Sequence, residues 1–202
     1  MEKSSIEKAI QDLKEGKLVI IVDDENREDE GDVVASAELI TEEQMNFMIS
    51  HAKGLVCVPM EYGVVQKLGL RLMAEDNTDK HNTAFLISMD CKEGTTTGIS
   101  VGDRTKTARR LADKNAKPED FYIPGHMFPL RAVAGGLDER RGHTELSVAL
   151  MEMAELYPVA VICEIINQDG TMARGEDLEK FSEKHGITKV SVGEIIGYKN
   201  KC

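Results

Sequence analysis

Seven carboxylates crowd the ten residues from Asp23 to Asp32, within the stretch VIIVDDENREDEGDVVAS. Two like charges about 4 Å apart repel by ~1 kcal/mol in water and by ~4 kcal/mol at a protein surface. A loop of such residues between two apolar, strand-like runs therefore needs a cation, for which Arg27 and a metal ion are the candidates. An EF-hand is excluded: with Gly31 at its glycine position, Ala37 stands where a glutamate ligand is required. A solvated hairpin tip is the alternative.

A second candidate site is the segment ERRGHTELS, residues 139–147. Arg140 and Arg141 precede Gly142, His143 and Thr144, and we expect Thr144 to cap an amphipathic helix. The first turn of a helix offers free N–H groups, and with two arginines it forms an anion site that suits phosphate. Alternatively, the arginines pair with neighbouring acids. Whether His143 is a metal ligand remains open from this pattern alone.

A histidine and a glutamate are candidates for proton transfer. In YIPGHMFPLRAVAGG we expect His126 to lie in a loop held by Pro124 and Pro129. A partner carboxylate would tune this histidine for acid–base chemistry, whereas the alternative is a buried structural histidine. Glu164 is the one acid in the strand-like run VAVICEIINQ, where burial would raise its pKa. An exposed strand face is the alternative for Glu164.

Together these features predict a site for a divalent cation and a phosphorylated small molecule. Oxygen-rich ligation favours Mg²⁺, and a histidine ligand would make Mn²⁺ acceptable.

The elements that must position these residues alternate between helix and strand. A capping-box pattern at Ser4 predicts a first helix that ends at Gly16, and strands follow around 17–22 and 32–37. Asp103 is predicted to cap a helix RTKTARRLAD. The alternation predicts an α/β fold (α+β type), a single layered domain over residues 1–202 with helices flanking the sheet. The hairpin-like start predicts a mixed β-sheet, and no strand leads into a GxGxxG or Walker A loop.

Composition excludes several classes of protein. A net charge of −11 over 202 residues argues against nucleic acid as the main partner. The longest apolar run, LVIIV, is too short to span a membrane, and the N-terminus has no apolar signal core. The four cysteines have no CxxC spacing, so we expect no zinc knuckle or disulfide framework. A cytoplasmic protein without membrane or nucleic-acid partners is predicted.

The chain resembles the 3,4-dihydroxy-2-butanone 4-phosphate synthase family. The motifs that carry the resemblance are DDENREDEGD, GLVCVP, DNTDKHNTAF, GTTTGISVGDR, PGHMFPLRA, RRGHTE and CEIINQDGTMAR. They follow one another in family order and span most of the chain. Some relatives carry a fused GTP cyclohydrolase II domain, and because this chain ends at Cys202 we expect a monofunctional form.

The resemblance implies an α/β enzyme of riboflavin biosynthesis that uses Mg²⁺, one or two ions per site. It would convert D-ribulose 5-phosphate into L-3,4-dihydroxy-2-butanone 4-phosphate and formate, as a homodimer with sites near the subunit interface. It implies Glu28 and His143 as metal ligands and His126 and Glu164 as catalytic residues. The implied substrate-binding residues are Arg27, Glu28, Asp32, Cys57, Thr97, Arg140, Arg141, Gly142, His143 and Thr144. Arg141 departs from the family pattern, since many relatives have glycine there.

Two other functions use the same features. A Mg²⁺-dependent phosphatase or isomerase acting on a sugar phosphate would need similar site residues, but only the synthase releases formate. A non-catalytic metal- or phosphate-binding module would bind without turnover and would leave Glu164 without a role.

Overall fold

The computed structural model describes residues 4–201 as a seven-stranded sheet flanked by helices. The α-helices are α1 (Ser5–Lys14), α2 (Glu42–Phe47), α3 (Tyr62–Lys67), α4 (Val101–Leu111), α5 (His143–Met153), α6 (Glu176–His185) and α7 (Val192–Lys199). The strands are β1 (Val19–Val22), β2 (Gly31–Ser36), β3 (Cys57–Met60), β4 (Met89–Cys91), β5 (Phe121–Arg131), β6 (Ala160–Glu164) and β7 (Thr188–Ser191). A π-helical turn, Met48–Ala52, continues α2. Within residues 4–201, no helix has both the length and the apolar content needed to cross a bilayer.

The sheet is mixed, with strand order β4-β5-β3-β6-β2-β1-β7. The β1–β2 hairpin is antiparallel, as are the pairs β2–β6, β3–β6 and β4–β5, whereas β1–β7 and β3–β5 are parallel. The predicted α/β class and mixed sheet are therefore confirmed.

Each face of the sheet carries its own hydrophobic core. Val33, Val58 and Val161 point into one core with α2 and α4, and the alternate residues Val34 and Ile162 point into the other with α1 and α5. Because side chains alternate along a strand, Asp32 shares the second face with Val34, and Glu164 shares it with Ile162. The helix above these two acids is α5.

His126 lies in a strand, so the predicted loop is wrong. Strand β5 runs through both Pro124 and Pro129. Prolines interrupt a sheet because they lack an N–H donor. Here residues 123–126 have no Cα partner in β4, because the register shifts between Met89 and Asp90. Pro124 therefore breaks no ladder with β4.

Two predicted helix caps are also wrong by a few residues. Ser100 caps α4, and its side chain accepts the Asp103 N–H, so Asp103 lies inside the first turn. Gly142 occupies the cap position of α5, which places Thr144 in the first turn rather than before it. In both cases the helix begins upstream of the residue chosen from sequence, since several nearby residues can serve as a cap.

Candidate active site

The acidic loop between β1 and β2 is built around Arg27. Its Nη1 lies 2.7 Å from Asp23 Oδ2 and 2.6 Å from Glu28 Oε2, so one guanidinium bridges two carboxylates. The Asp23 side chain is fully buried, and its other oxygen accepts the Glu30 N–H at 3.0 Å. Both oxygens of Asp23 are therefore occupied, whereas Glu28 lines a cavity.

A second cationic side chain holds this loop from the segment before α6. Arg174 donates from Nε to the Glu28 carbonyl at 3.1 Å and from Nη2 to Glu30 Oε1 at 2.8 Å. The crowded carboxylates are thus compensated by two arginines, of which only Arg27 was predicted from the sequence. The metal ion remains a prediction.

Asp32 and Glu164 are brought together by strand register. Their Cα atoms are direct partners in the antiparallel β2–β6 pair. Among the described residues, Asp32 Oδ1 and Glu164 Oε2 are buried without a hydrogen-bond partner. Burial raises the pKa of Asp32 to about 7, and burial also raises the pKa of Glu164. Leaving a buried polar atom unsatisfied costs ~1–3 kcal/mol, so these two oxygens mark a place where a ligand or a proton is needed.

His143 begins α5 beside the acidic loop and is buried. Its Nε2 lies 3.3 Å from the Glu30 carbonyl, and this ring nitrogen must donate because a carbonyl only accepts. Its Nδ1 faces Glu28 Oε2 at 3.5 Å. Burial disfavours the charged ring, but the negative charges of Asp32 and Glu28 prevail and raise the pKa of His143 to about 9. Hydrogen bonding to His143 outweighs partial burial and, with the Arg27 charge, lowers the pKa of Glu28 to about 2.

Arg140 is occupied by contacts within the chain. Its guanidinium donates to the buried carboxylate of Glu145, to the His81 carbonyl at 3.2 Å and to Thr83 Oγ1 at 3.0 Å. With a further bond from Nε to the same carbonyl, four of its five N–H groups are used. Arg140 therefore pairs with an acid, which was the alternative to an anion site. The acid is Glu145, inside α5. Arg141 is exposed.

A cavity of about 170 Å³ opens between the acidic loop, the end of β6 and the start of α5. The predicted site residues that line it are Arg27, Glu28, Asp32, Cys57, Arg140, His143, Thr144 and Glu164. Burial raises the pKa of the Cys57 thiol, so that side chain is a neutral part of the wall. Four other predicted site residues do not line the cavity: Thr97, His126, Arg141 and Gly142, which occupies the cap position of α5.

His126 lies beside Asp90 of β4. Its Nδ1 is 2.7 Å from Asp90 Oδ2, and its side chain is 43% exposed, so the reading as a buried structural histidine is wrong. Thr97 is also exposed and adjoins Gly98, which packs against the same pair. Within one chain the two predicted catalytic residues are therefore apart, since Glu164 lines the cavity and His126 does not.

The donor atoms at the cavity fit a divalent cation. Asp23, Glu28 and His143 each offer one atom within 4.8 Å of the others. Asp23 has both oxygens engaged, by Arg27 and by the backbone, whereas Glu28 Oε2 accepts one bond from Arg27 and keeps a second lone pair. The donors that remain are therefore Glu28 Oε2 and His143 Nδ1, 3.5 Å apart. Two ligands of one ion can span that distance, since Mg²⁺–oxygen bonds are about 2.1 Å long. The orphaned Asp32 oxygen lies in the same cavity wall.

A larger groove of about 620 Å³ lies on the outer side of the acidic loop, between Asp24 and Glu176. None of its lining residues has an unsatisfied buried polar atom among residues 4–201, whereas the smaller cavity has two. The smaller cavity is therefore the candidate active site.

Besides Arg174, four residues that shape the site were not predicted from the sequence: Asp23, Thr83, Asp90 and Glu145. Asp23 belongs to the acidic run, and Thr83 belongs to the motif DNTDKHNTAF, so a signal existed for both. Asp90 and Glu145 are ordinary acids in sequence, and only their spatial partners, His126 and Arg140, distinguish them.

Comparison with known proteins matches the chain to one family over nearly its whole length. The family model for 3,4-dihydroxy-2-butanone 4-phosphate synthase matches residues 7–198. A 3,4-dihydroxy-2-butanone 4-phosphate synthase of Agrobacterium fabrum is 48% identical over 198 residues, covering 98% of this chain and 93% of that protein. The riboflavin biosynthesis protein RibBA of Endomicrobium trichonymphae is 48% identical over 198 residues, but only 49% of its length is covered. The chain thus spans about half the length of some curated relatives, including the Neisseria meningitidis synthases at 54%.

Solved structures of the same family have a similar fold. A 3,4-dihydroxy-2-butanone 4-phosphate synthase in complex with two magnesium ions has a TM-score of 0.93 and 40% identity, with 98% of each chain covered. The two-domain synthase RibBX of A. baumannii also has a TM-score of 0.93, at 44% identity, and 58% of that chain is covered.

Proposed function

The chain belongs to the 3,4-dihydroxy-2-butanone 4-phosphate synthase family, and from that premise we propose that residues 1–202 form one synthase domain of riboflavin biosynthesis. The proposed reaction converts D-ribulose 5-phosphate into L-3,4-dihydroxy-2-butanone 4-phosphate and formate. Atoms balance without an oxidant, because five carbons divide into four and one and no electrons leave. The observation that carries the proposal is the cavity itself, where a metal-fitting pair, Glu28 and His143, adjoins the unsatisfied oxygens of Asp32 and Glu164.

The metal ligands in this proposal are Glu28 and His143. A bound Mg²⁺ or Mn²⁺, one or two ions per site, would act as a Lewis acid on substrate oxygens and favour enolisation. The protein prepares the ligand atoms: the Glu30 carbonyl holds His143 Nε2, which leaves Nδ1 directed at Glu28. Such an outer contact fixes which ring nitrogen can bind a metal. The two magnesium ions in the related structure support the choice of metal.

Asp32 and Glu164 are suited to bind hydroxyl groups and to move protons. A carboxyl group whose pKa is raised toward neutrality can both accept and return a proton near pH 7. The structure raises the pKa of both groups by burial, and each has an oxygen free of intramolecular donors. We assign Glu164 to proton transfer and Asp32 to a substrate hydroxyl, and Cys57 contributes a neutral wall.

The substrate phosphate is assigned to the start of α5. Gly142 caps an eleven-residue helix, and His143 and Thr144 lie in its first turn, where the N–H groups and the helix dipole favour an anion. Arg140 retains one N–H on Nη1 for such a ligand, and Arg27 lines the same cavity. A remote anchor of this kind fixes the reacting carbons relative to the acids. The exposed Arg141 adds positive charge nearby.

His126 and Thr97 enter this reaction only if a second copy of the chain brings them to the cavity. The surface around them supports that arrangement, because Ile99, Tyr122 and Ile123 are each at least half exposed. Exposed apolar side chains of this size commonly mark a protein interface. We therefore propose a homodimer in which each cavity receives His126 and Thr97 from the other chain. The free, buried cysteines Cys57, Cys91 and Cys163 are compatible with the proposed cytoplasmic location.

Formate release from ribulose 5-phosphate tests the proposed function. We expect formate with Mg²⁺, none after chelation, and a loss of at least ~100-fold in kcat in Glu28→Gln, which removes a ligand charge without changing side-chain size. Glu25→Gln is the matched control, since Glu25 is exposed in the same loop and outside the lining of the cavity. Release of inorganic phosphate, or isomerisation without formate, would replace the synthase with a phosphatase or an isomerase. Metal binding without turnover would indicate a binding module.

A further inference from the structure

The pairing of β4 with β5 is irregular next to His126. Met89 pairs with Met127, but the next residue, Asp90, pairs with Tyr122, so residues 123–126 of β5 have no Cα partner in β4. Two of their N–H groups bond to side chains instead. Gly125 donates to Ser88 Oγ at 3.2 Å, and His126 donates to Asp90 Oδ1 at 2.8 Å. Irregularities of this kind reorient side chains and occur often beside active sites.

Both carboxylate oxygens of Asp90 contact the same residue, His126. Oδ1 accepts the His126 backbone N–H, and Oδ2 lies 2.7 Å from Nδ1 of the same histidine. Because a carboxylate accepts but does not donate, Nδ1 carries the ring proton in this pair. In the neutral ring the other nitrogen, Nε2, is then left with a lone pair. The contact therefore fixes both the ring plane and the tautomer.

Two glycines allow the pair to form. A Cβ at Gly98 would lie 1.9 Å from Asp90 Oδ2 and 2.6 Å from His126 Nδ1, so a side chain at this position is excluded. A Cβ at Gly125 would lie 2.2 Å from the Met89 carbonyl carbon. The loop that carries Gly98 is itself fixed, because Asp103 accepts the Gly98 N–H at 3.0 Å. Strands β4 and β5 and the loop of Gly98 thus meet at the Asp90–His126 pair.

We propose that Asp90 is the positioning residue for His126: it holds the ring in the Nδ1–H tautomer, so that Nε2 is the nitrogen that exchanges protons with substrate. This inference rests on the proposed function, in which His126 takes part in proton transfer. Asp90 itself does not touch the substrate. It acts in the manner of any carboxylate that orients a histidine base through the far ring nitrogen.

The variant Asp90→Asn changes the hydrogen bonding that orients the His126 ring without changing the size of the side chain at position 90. Asparagine keeps the shape but replaces one acceptor oxygen with an NH₂ donor, so it cannot accept both N–H groups of His126. We expect the NH₂ group to donate to Nδ1, which moves the ring proton to Nε2. The expected result is a loss in kcat of about 100-fold, the lower end of a general acid–base contribution, with KM changed by less than about threefold. Glu93→Gln is the matched control, since Glu93 is exposed three residues away.

The tautomer is read by ¹⁵N NMR of histidine-labelled protein, with the His126 signals assigned from the spectrum of His126→Asn. Wild-type protein should show protonated Nδ1, and Asp90→Asn should show protonated Nε2. An Nε2–H tautomer in the wild type overturns the proposal even if the variant fails to fold, and so does wild-type kcat in a folded Asp90→Asn. The spectrum needs no substrate. Absence of formate from wild-type protein would therefore refute the synthase function, while the spectrum would still decide whether Asp90 orients the ring.

Discussion

Metal binding at the cavity is expected to depend strongly on pH, because a proton and a metal ion compete for the same atom of His143. Nε2 donates to the Glu30 carbonyl, so the second proton of the charged ring sits on Nδ1, which faces Glu28. The pKa of His143 is raised to about 9 by the surrounding carboxylates, despite the opposing effect of burial. At neutral pH a metal ion must therefore displace a proton before His143 can bind it.

The size of this effect follows from the pKa. At pH 7 a group with a pKa of about 9 is protonated by ~100 to 1, which weakens apparent metal affinity by ~100-fold, or about 3 kcal/mol. The linkage to folding has the opposite sign in metal-free protein. The folded-state pKa is raised from 6.5, so its stabilisation is fully present below pH 6.5 and is lost as pH rises through about 9. The free energy of unfolding should fall by up to about 3 kcal/mol over that window.

Titration calorimetry with Mn²⁺ measures the competition directly. Between about pH 7.5 and 9, Asp32 is already largely ionised, since its pKa is about 7. We therefore expect the logarithm of the affinity to rise by about one per pH unit and to level off near pH 9. Repeating the titration in buffers of different ionisation enthalpy should show about one proton released per ion near pH 8.

The matched control is His185→Asn, a histidine on α6 that does not line the cavity. It should leave the slope unchanged, whereas His143→Asn should lower affinity and abolish the pH dependence. A metal affinity that stays constant from about pH 7.5 to 9, without proton release, would refute the reasoning that a metal ion must displace a proton from His143.

Two further predictions concern the cavity and its assembly. Gly54→Ala should lower the free energy of unfolding by about 1–3 kcal/mol and lower kcat in the formate assay, because its Cβ would lie 2.4 Å from Glu164 Oε2 and 2.6 Å from the Glu164 carbonyl oxygen. Urea denaturation measures the first effect. Mixing inactive His126→Asn and Glu164→Gln chains should restore about a quarter of wild-type formate release, since half of the re-formed dimers are mixed and each has one intact cavity.

Each of these predictions has its own control or contrary outcome. Gly197→Ala in α7 should be neutral or stabilising, because no atom beyond its chain neighbours and the backbone of its own helix lies within 4 Å of the added Cβ. Equal stability of Gly54→Ala and wild type would show that the backbone at Glu164 moves aside. Mixed chains that stay inactive after re-forming dimers would contradict a cavity shared between two copies. Activity in His126→Asn alone would remove that residue from the reaction.

The sequence alone was most informative where the residues of a motif lie close together in the chain. The acidic run, its Arg27 and the RRGHTE segment are each readable within ten residues, and the structure places Glu28 and His143 side by side in one cavity. The alternation of helices and strands was likewise sufficient for the α/β class and the mixed sheet. Predictions were wrong where tertiary structure overrode a rule that holds for an isolated stretch of sequence. Pro124 suggested a loop, but β5 continues through it because that stretch makes no ladder with β4.

What tertiary structure alone decided was the pairing of distant acids. Asp32 and Glu164 face each other only because β2 and β6 are neighbours in one register, and a slip of one residue in either strand would send that strand's acid to the other face. The same holds for Asp90 with His126, which meet through an irregular strand pair. Sequence determines which residue types are present and where strands alternate. Partners more than thirty residues apart depend on sheet order and register, which are settled by the packing of the whole core.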